Sequence, residues 1–477
     1  MNIDISTLIN FISYFLFVML LGYYFITTAQ WYSYKLNRVF FHHTKPMWNL
    51  YYFIIPFAAY EALNFAKLNK FQPIILVLYA IALFFWYKKL DKPLVFTGRV
   101  KRFFGALALF TIIIFVATKK TFVLIPIILA WFVSLGIEKM LFEGYRRKAE
   151  DKIDENKDLT VVGVTASYGK TSMKNFIAKL LSTQYKVYPT PRSVNTLGGI
   201  VKDINQDLPS DTQVYVVEMG AREEGDIYEI TELVKPHYAV VGTIGPAHIE
   251  YFKSLEKIRN TKMEITKSPR LKEAWVHISA NVKSTNPKIH LFGHDIKDIE
   301  STLDGICFSL EGKRYCANIL GKFNAINLAA AIKVAKALGV SEENIQKALK
   351  EIEPTPHRLQ KIEAGGKIII DDSFNGNIDG MKEAFELAKE HKGRKVLITP
   401  GLVEVDDKLN EEIAQKANKI FDIIVVTGEL NYPIFEKYVD KEKLIHLKDK
   451  SNFEEFLAKT TKSGDLILFA NDAPSFI

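Results

Sequence analysis

Gly169-Lys170-Thr171-Ser172 closes the stretch TVVGVTASYGKTS that starts at Thr160. An apolar run leads into it and an amphipathic pattern follows, so the stretch predicts a strand, a phosphate-gripping turn and a helix. Glycine lets backbone N–H groups approach a phosphate. Lys170 supplies a point charge, and the Thr171 hydroxyl is a Mg²⁺ ligand at a helix N-terminus. The spacing departs from GxxxxGK[ST], since the residue five before Gly169 is Val164 and Gly163 lies one further back. Two more groups fit the same chemistry. Glu218 in VVEMGAREEGD ends an apolar strand, and His248 follows another strand end in VVGTIGPAHIEYF. Taken singly, the carboxylate is a helix cap and the imidazole a satisfied loop residue. Beside Gly-Lys-Thr, both point to a shared metal, because open α/β sheets place ligands at strand C-termini.

Those residues need a sheet to hold them. Apolar runs recur at Val161–Val164, Val214–Val217, Ala239–Val241, Lys367–Ile370, Val396–Ile398, Ile423–Val426 and Leu466–Phe469. Helical patterns fall between them at Ser172–Leu181, Ala325–Leu338, Ser341–Ile352 and Gly380–Glu390. The alternation predicts an α/β fold with mostly parallel sheet. A charged linker, Arg146–Asp158, precedes it, and a second series starts at Pro354. The expected domains are 1–145, 155–353 and 354–477.

Mean hydropathy near zero averages two unlike parts. Residues 1–145 are rich in Phe, Tyr, Leu and Ile, and five apolar runs stand out at roughly 6–27, 49–65, 71–87, 103–118 and 121–139. Each approaches the length that spans about 30 Å of hydrocarbon. The first run has no basic leader and no small-residue cleavage site, so it reads as an anchor. Lys88, Lys89, Arg99, Lys101, Arg102 and Arg146–Lys148 crowd alternate connections, against only Lys67, Lys70, Lys119 and Lys120 in the others. That asymmetry predicts a multi-pass protein of the inner (cytoplasmic) membrane, with its N-terminus outside and everything after Met140 in the cytoplasm. Glu61 lies inside the second run near a helix end and is read as snorkelling to the interface. The net charge of +8 is spread through both parts with no basic block interleaved with aromatics, which argues against nucleic acid. Cys307 and Cys316 lack metal-ligand spacing and read as reduced thiols in a strand hairpin.

TASYGKTS, SVNTLGG, VVEMGAREEGDI, GTIGPAHIEYFKSLEKIRNTKMEI, LGKFNAINLAAA, PTPHRLQ and IIIDDSFNGN occur here in the order found in Mur ligases. From about 159 to at least 404 the chain resembles these ATP-dependent amide-bond-forming enzymes of peptidoglycan precursor synthesis. Asp371-Asp372-Ser373-Phe374-Asn375-Gly376-Asn377 is similar to the motif of the members that add D-alanyl-D-alanine to UDP-MurNAc-tripeptide. The apolar runs predict a transmembrane region of about five helices, and the resemblance implies a central ATP-binding domain and a Rossmann-like C-terminal α/β domain after it. It implies that Thr165, Ala166, Ser167, Tyr168, Gly169, Lys170, Thr171 and Ser172 hold ATP phosphates, and that Thr171 and Glu218 bind Mg²⁺. His248 and Lys262 would hold a second Mg²⁺, the lysine as a carbamate. Asn324 and Asn327 match residues near the adenine, Asp372 would contact the ribose, and Arg358 would reach the phosphates. Asn195, Thr196, Asn375 and Asn377 are the expected substrate contacts, and Lys170, His248, Lys262 and Arg358 the catalytic set.

The pattern is broken in places. Phe323 stands where the family has histidine, Ile378 replaces a proline, and Ile398–Glu404 replaces LGDMxELG. Phe469-Ala470-Asn471-Asp472 stands in for Lys-Gly-Ser, and apolar helices occupy the place of the domain that holds UDP. Other readings are a membrane-tethered ligase acting on a lipid-linked or different precursor, a membrane P-loop ATPase coupled to transport, and a silent scaffold for other cell-wall synthesis enzymes.

Overall fold

The computed structural model describes residues 5–32, 34–41, 45, 47–90, 92–246, 249–283, 285–374, 378–402, 407–448 and 453–471. The chain divides into two compact units, 1–144 and 145–477.

Among the described residues of the first unit, four helices are long and apolar enough to cross a membrane: Ile5–Trp31, Asn69–Tyr87, Gly98–Thr118 and Leu124–Glu155, the last running past the unit boundary. Tyr14, Phe17, Leu21 and Tyr24 of the first helix are buried, whereas Val77, Phe84, Ile113 and Phe132 of the others face outward. The run at 49–65 takes a different form from the single helix expected. It is a π-turn, Leu50–Ile54, followed by a short helix, Ile55–Phe65, with a proline in its first turn. Pro56 has no N–H for the preceding turn, which accounts for the break in regular α-helix. Glu61 has partners within the unit. Its carboxylate accepts the Val123 N–H at 2.9 Å and the Asn64 amide at 3.2 Å, so it caps the entry to the helix that starts at Leu124.

The second unit holds three sheets. Strands β1 (Thr160–Thr165), β2 (Val187–Pro189), β3 (Val214–Glu218), β4 (Tyr238–Val241), β5 (Glu273–His277) and β6 (Ile289–Phe292) form a sheet ordered β2-β3-β1-β4-β5-β6. Every pairing in it is parallel. Its buried central strands are Val-rich, as strands covered on both faces must be. Strands β7 (Ile296–Thr302), β8 (Gly305–Leu310) and β9 (Lys313–Ala317) make a small antiparallel sheet. The third sheet comprises β10 (Gln360–Ala364), β11 (Lys367–Asp372), β12 (Lys395–Thr399), β13 (Ile423–Thr427), β14 (Leu444–Leu447) and β15 (Leu466–Ala470), ordered β10-β11-β15-β12-β13-β14. Only β10 runs antiparallel to its neighbour there.

Helix Lys170–Leu181, which carries the phosphate loop, shares one core with helix Phe323–Ala337 through Met173, Phe176, Ile177, Leu328, Ala331 and Ile332. Phe308 and Tyr315 of the small sheet close that core from the side. Cys307 and Cys316 stand directly opposite across the β8–β9 pair and are joined by a disulfide, in place of the reduced thiols expected. Facing positions of an antiparallel pair bring two side chains within bonding reach, a pairing that spacing alone does not announce.

Arg146–Asp158 is no free linker. Up to Glu155 it continues the last long helix, with Ala149 and Ile153 fully buried. Lys152 donates to the carbonyls of Ile204 and Leu208 at 2.8 and 2.6 Å, and Asp154 pairs with Lys235 and Arg270. Helix Leu197–Gln206 is tied to β2 and β3 by Asp203, which accepts the hydroxyls of Tyr188 and Tyr215, both at 2.7 Å. That anchor fixes the turn carrying Asn195 and Thr196. Asp203→Ala strips both phenols of their acceptor and leaves the fully buried Tyr215 hydroxyl unpaired. The expected loss is about 2 kcal/mol, read as a lower thermal midpoint of the purified chain. An unchanged midpoint would show that the anchor carries no stability.

Candidate functional site

The β1 strand delivers the loop Ala166–Gly169 to the N-terminus of helix Lys170–Leu181. Gly169 has φ +78°, and a Cβ there would meet the Asn327 side chain at 2.7 Å, so both conformation and space demand glycine. Loop and neighbouring strand ends are sewn together. Thr165 Oγ1 donates to Met219 O at 2.8 Å, and Ser167 Oγ donates to Gly245 O at 2.9 Å. The Ser167 N–H also donates to Thr243 O at 2.8 Å. Tyr168 lies against Gly245, where a Cβ would come within 2.6 Å of its ring. Lys170 Nζ folds back onto Ala166 O at 2.8 Å and Ser167 O at 3.3 Å. Thr171 is half-buried and Ser172 buried just inside the helix.

Glu218, at the C-terminal end of β3, is 1% exposed. Asn195 Nδ2 donates to its Oε1 at 2.9 Å, and its Oε2 is buried with no hydrogen-bond partner. Four cations gather round this carboxylate. Burial lowers the Lys170 pKa, the Glu218 charge opposes that, and Arg358 adds to the lowering. Lys174, on the same helix, is as buried as Glu218 and lies 3.6 Å from Oε2. Lys262 is pushed down to about 7 by burial first and by Lys170 next, against the pull of Asp226, Glu264 and Glu218. Arg358 is lowered by burial and held up by Glu218 and Asp372. An orphaned anionic oxygen among cations fits a divalent ion shared with phosphate oxygens. Among the described residues no group of three or more His, Cys, Asp or Glu converges. A cation here would therefore rest on one or two protein oxygens and phosphates, the arrangement Mg²⁺ favours.

On the adenine side, Asn327 Nδ2 donates to Asn324 Oδ1 at 3.0 Å, and Asn324 Nδ2 donates to Leu320 O at 2.7 Å. Both asparagines are buried, while Phe323 beside them is exposed. From the third sheet, Asp372 accepts the Leu359 N–H at 3.2 Å, and burial raises its pKa to about 6. Asp371, fully buried, sits 2.7 Å from His357 Nδ1. Arg358 lies over the Phe374 ring, 5.0 Å from its centroid.

The structure thus brings Lys170, Glu218, Lys262 and Arg358 together. His248, Asn375 and Asn377 lie outside the described residues. Two expected substrate contacts have other partners: Asn195 holds Glu218, and the Thr196 hydroxyl caps helix Leu197–Gln206 by accepting the Gly199 N–H at 3.3 Å. Sequence reasoning missed Lys174. Its signal was a lysine four residues after Lys170, on a face otherwise built of Met173, Phe176 and Ile177.

Residues 164–335 match the Mur ligase middle domain. The UDP-N-acetylmuramoyl-tripeptide–D-alanyl-D-alanine ligase of Bacillus subtilis is 29% identical over 331 residues, covering 65% of this chain and 72% of that protein. Among solved structures, UDP-N-acetylmuramoylalanyl-D-glutamyl-2,6-diaminopimelate–D-alanyl-D-alanyl ligase from Acinetobacter baumannii superimposes with TM-score 0.63 at 25% identity, covering 69% of this chain and 76% of that one. The MurF ligase of Thermotoga maritima in complex with ADP gives TM-score 0.59 at 26% identity, over 69% and 80%. The middle-domain match begins within β1 and ends within the helix that carries Asn324 and Asn327, so the stretch that holds the phosphate loop and its flanking walls carries a Mur ligase middle domain.

Proposed function

We propose that this chain is an ATP-dependent ligase that joins D-alanyl-D-alanine to the C-terminal carboxylate of UDP-MurNAc-tripeptide. One observation carries the reading: Lys170, Lys262 and Arg358, from three separate elements, surround the buried Glu218 carboxylate. A site so rich in cations suits a polyphosphate rather than a neutral ligand. The γ-phosphoryl of ATP passes to the tripeptide carboxylate, giving an acyl phosphate and ADP. The dipeptide amine then attacks the acyl carbon, and phosphate leaves as the amide forms.

The residues contribute by position and charge. The Ala166–Gly169 backbone and Lys170 grip the phosphates, and Arg358 offsets the charge that develops on the transferring group. Asn324 and Asn327 wall the nucleotide side, and Asp372 serves the ribose. Mg²⁺, held by Thr171 and Glu218 and at a second position by His248 and carbamylated Lys262, would neutralise phosphate charge. Lys262 is suited to carbamylation because a pKa near 7 leaves much of its amine uncharged at neutral pH. Asn375 and Asn377 are assigned to the dipeptide. The segment 354–477, with its parallel β11-β15-β12-β13-β14 order, is read as the Rossmann-like domain that brings Arg358 to the phosphates.

We further infer that the first unit is a multi-pass anchor in the inner membrane, with the N-terminus outside and residues 145–477 in the cytoplasm, where ATP is. Four helices of sufficient length and apolarity support this, as does the basic bias of alternate connections. The anchor would keep the ligase beside membrane enzymes that consume its product.

Lys170→Ala is expected to lower ligation on the order of 10²–10³-fold, by mass spectrometry of the product formed from D-alanyl-D-alanine and UDP-MurNAc-tripeptide. Retained ligation would contradict the phosphate grip, and ATP hydrolysis without any acceptor would favour a transport ATPase. For the anchor, the full chain should resist alkaline extraction from membranes, and protease should cut residues 145–477 only in inside-out vesicles. Cleavage in right-side-out vesicles would overturn the orientation.

A further inference from the structure

Lys174 is a fully enclosed ammonium that the ligase mechanism above does not use. Its side chain and that of Glu218 are each 1% exposed, and Nζ lies 3.6 Å from Glu218 Oε2. The same Nζ donates to Thr190 O at 2.6 Å and to Arg192 O. Thr190 in turn accepts the Glu218 N–H on its hydroxyl at 3.1 Å. Five residues after Thr190, Asn195 donates to Glu218 Oε1 at 2.9 Å, and its carbonyl accepts the Gly220 N–H at 2.7 Å. The segment 190–195 therefore wraps Glu218, and Lys174 pins both the segment and the carboxylate.

Two buried charges of opposite sign stabilise each other only while both are present; either one alone is costly. Glu218 Oε2 has no hydrogen bond, so the ammonium is the group that balances it on this side. A divalent cation arriving at Oε2 meets a like charge a few ångströms away, at low effective dielectric.

We propose that Lys174 is a positioning residue that acts as the internal counter-cation of Glu218: it holds the carboxylate and the 190–195 segment in place before the metal arrives, and it weakens divalent-cation binding by repulsion. The proposal rests on the reading of Glu218 as a metal ligand. It gives the site a built-in reason to load metal together with the nucleotide, because phosphate oxygens add the negative charge that outweighs the ammonium.

The test uses the full-length protein in detergent, titrated with Mg²⁺ without nucleotide, and follows both calorimetric binding and the thermal midpoint. Lys174→Met removes the charge but keeps the length. It should lower the metal-free midpoint, bind Mg²⁺ on the order of tenfold tighter, and show a larger Mg²⁺-dependent rise in midpoint than the wild type. Lys174→Arg keeps the charge and should keep the wild-type affinity. Should Lys174→Met fold poorly, the double variant Lys174→Met/Glu218→Gln, with neither charge, should regain the midpoint and lose the Mg²⁺ response. A purely structural lysine predicts the opposite sign, since a loosened 190–195 segment would weaken the metal. Unchanged or weaker Mg²⁺ binding by Lys174→Met therefore overturns the proposal alone. No Mg²⁺ response in either the wild type or Lys174→Met overturns the metal reading and the proposal with it.

Discussion

A single carboxylate, Glu218, sits almost fully enclosed at the end of a parallel strand, with four cationic side chains within electrostatic reach. Burying one charge without a partner costs several kcal/mol, and burying cations in excess costs more. The arrangement persists because rigid elements impose it. Parallel strands β1 and β3 fix Glu218 against the phosphate loop in register, with Val164 opposite Glu218 itself. Lys170 and Lys174 come from one helix, one turn apart. The excess of positive charge is then an unfilled electrostatic demand, which a polyphosphate and its cation meet. Folding and ligand binding draw on the same interaction.

The third sheet answers to that demand as well. Arg358 follows His357, whose φ of +62° is uncommon for a residue with a side chain. The strained turn is held on one side by Asp371, which pairs with the His357 imidazole, and on the other by Asp372, which accepts the Leu359 N–H. Two neighbouring acids at the end of β11 thus clamp the residues flanking Arg358, whose guanidinium lies over the Phe374 ring and within electrostatic reach of Glu218. The DDS segment has a mechanical role here that its proposed contact with ribose does not exhaust.

Much of the second unit was legible. The seven apolar runs all fall within strands, and the four helical patterns overlap helices, because buried parallel strands are continuous apolar blocks and amphipathic helices carry a clear period. The short edge strand β2 and strand β7 were not legible, since a three-residue strand and a half-exposed one have weak periodicity, whereas the β8–β9 hairpin around Cys307 and Cys316 was. The 146–158 stretch misled through its charge: Lys152 and Asp154 are engaged with backbone and side-chain partners that lie far along the chain. At the site, residue identity marked Lys170 and Glu218 as chemical groups. It could not mark Lys174, whose role depends on which face of the helix meets the strand ends. Nor could it show that Asn195 donates to the Glu218 carboxylate, because an amide can find many partners.

Two of the places where the chain parts from the Mur ligase pattern lie together. Ile398–Glu404 and Phe469–Asp472 are distant in sequence, yet β12 and β15 pair directly, with Ile398 opposite Phe469, so the described parts of both replaced segments, 398–402 and 469–471, start from neighbouring strands. Asn471 Nδ2 donates to Gly401 O at 3.1 Å, and Asn431 Nδ2 donates to Pro400 O at 2.8 Å. Asn410 accepts the Leu402 N–H and donates back to the Leu402 carbonyl. Three amide side chains thus knit Pro400-Gly401-Leu402 into a fixed turn. Gly401, at φ +78° with Asn410 and Asn431 each within 2.8 Å of any Cβ, is the residue that turn requires. The departures are parts of one local solution, because a change at Gly401 would strip the amides of their fit and a change at Asn471 would free the turn. That solution lies at the C-terminal edge of a parallel sheet, where α/β folds hold ligands.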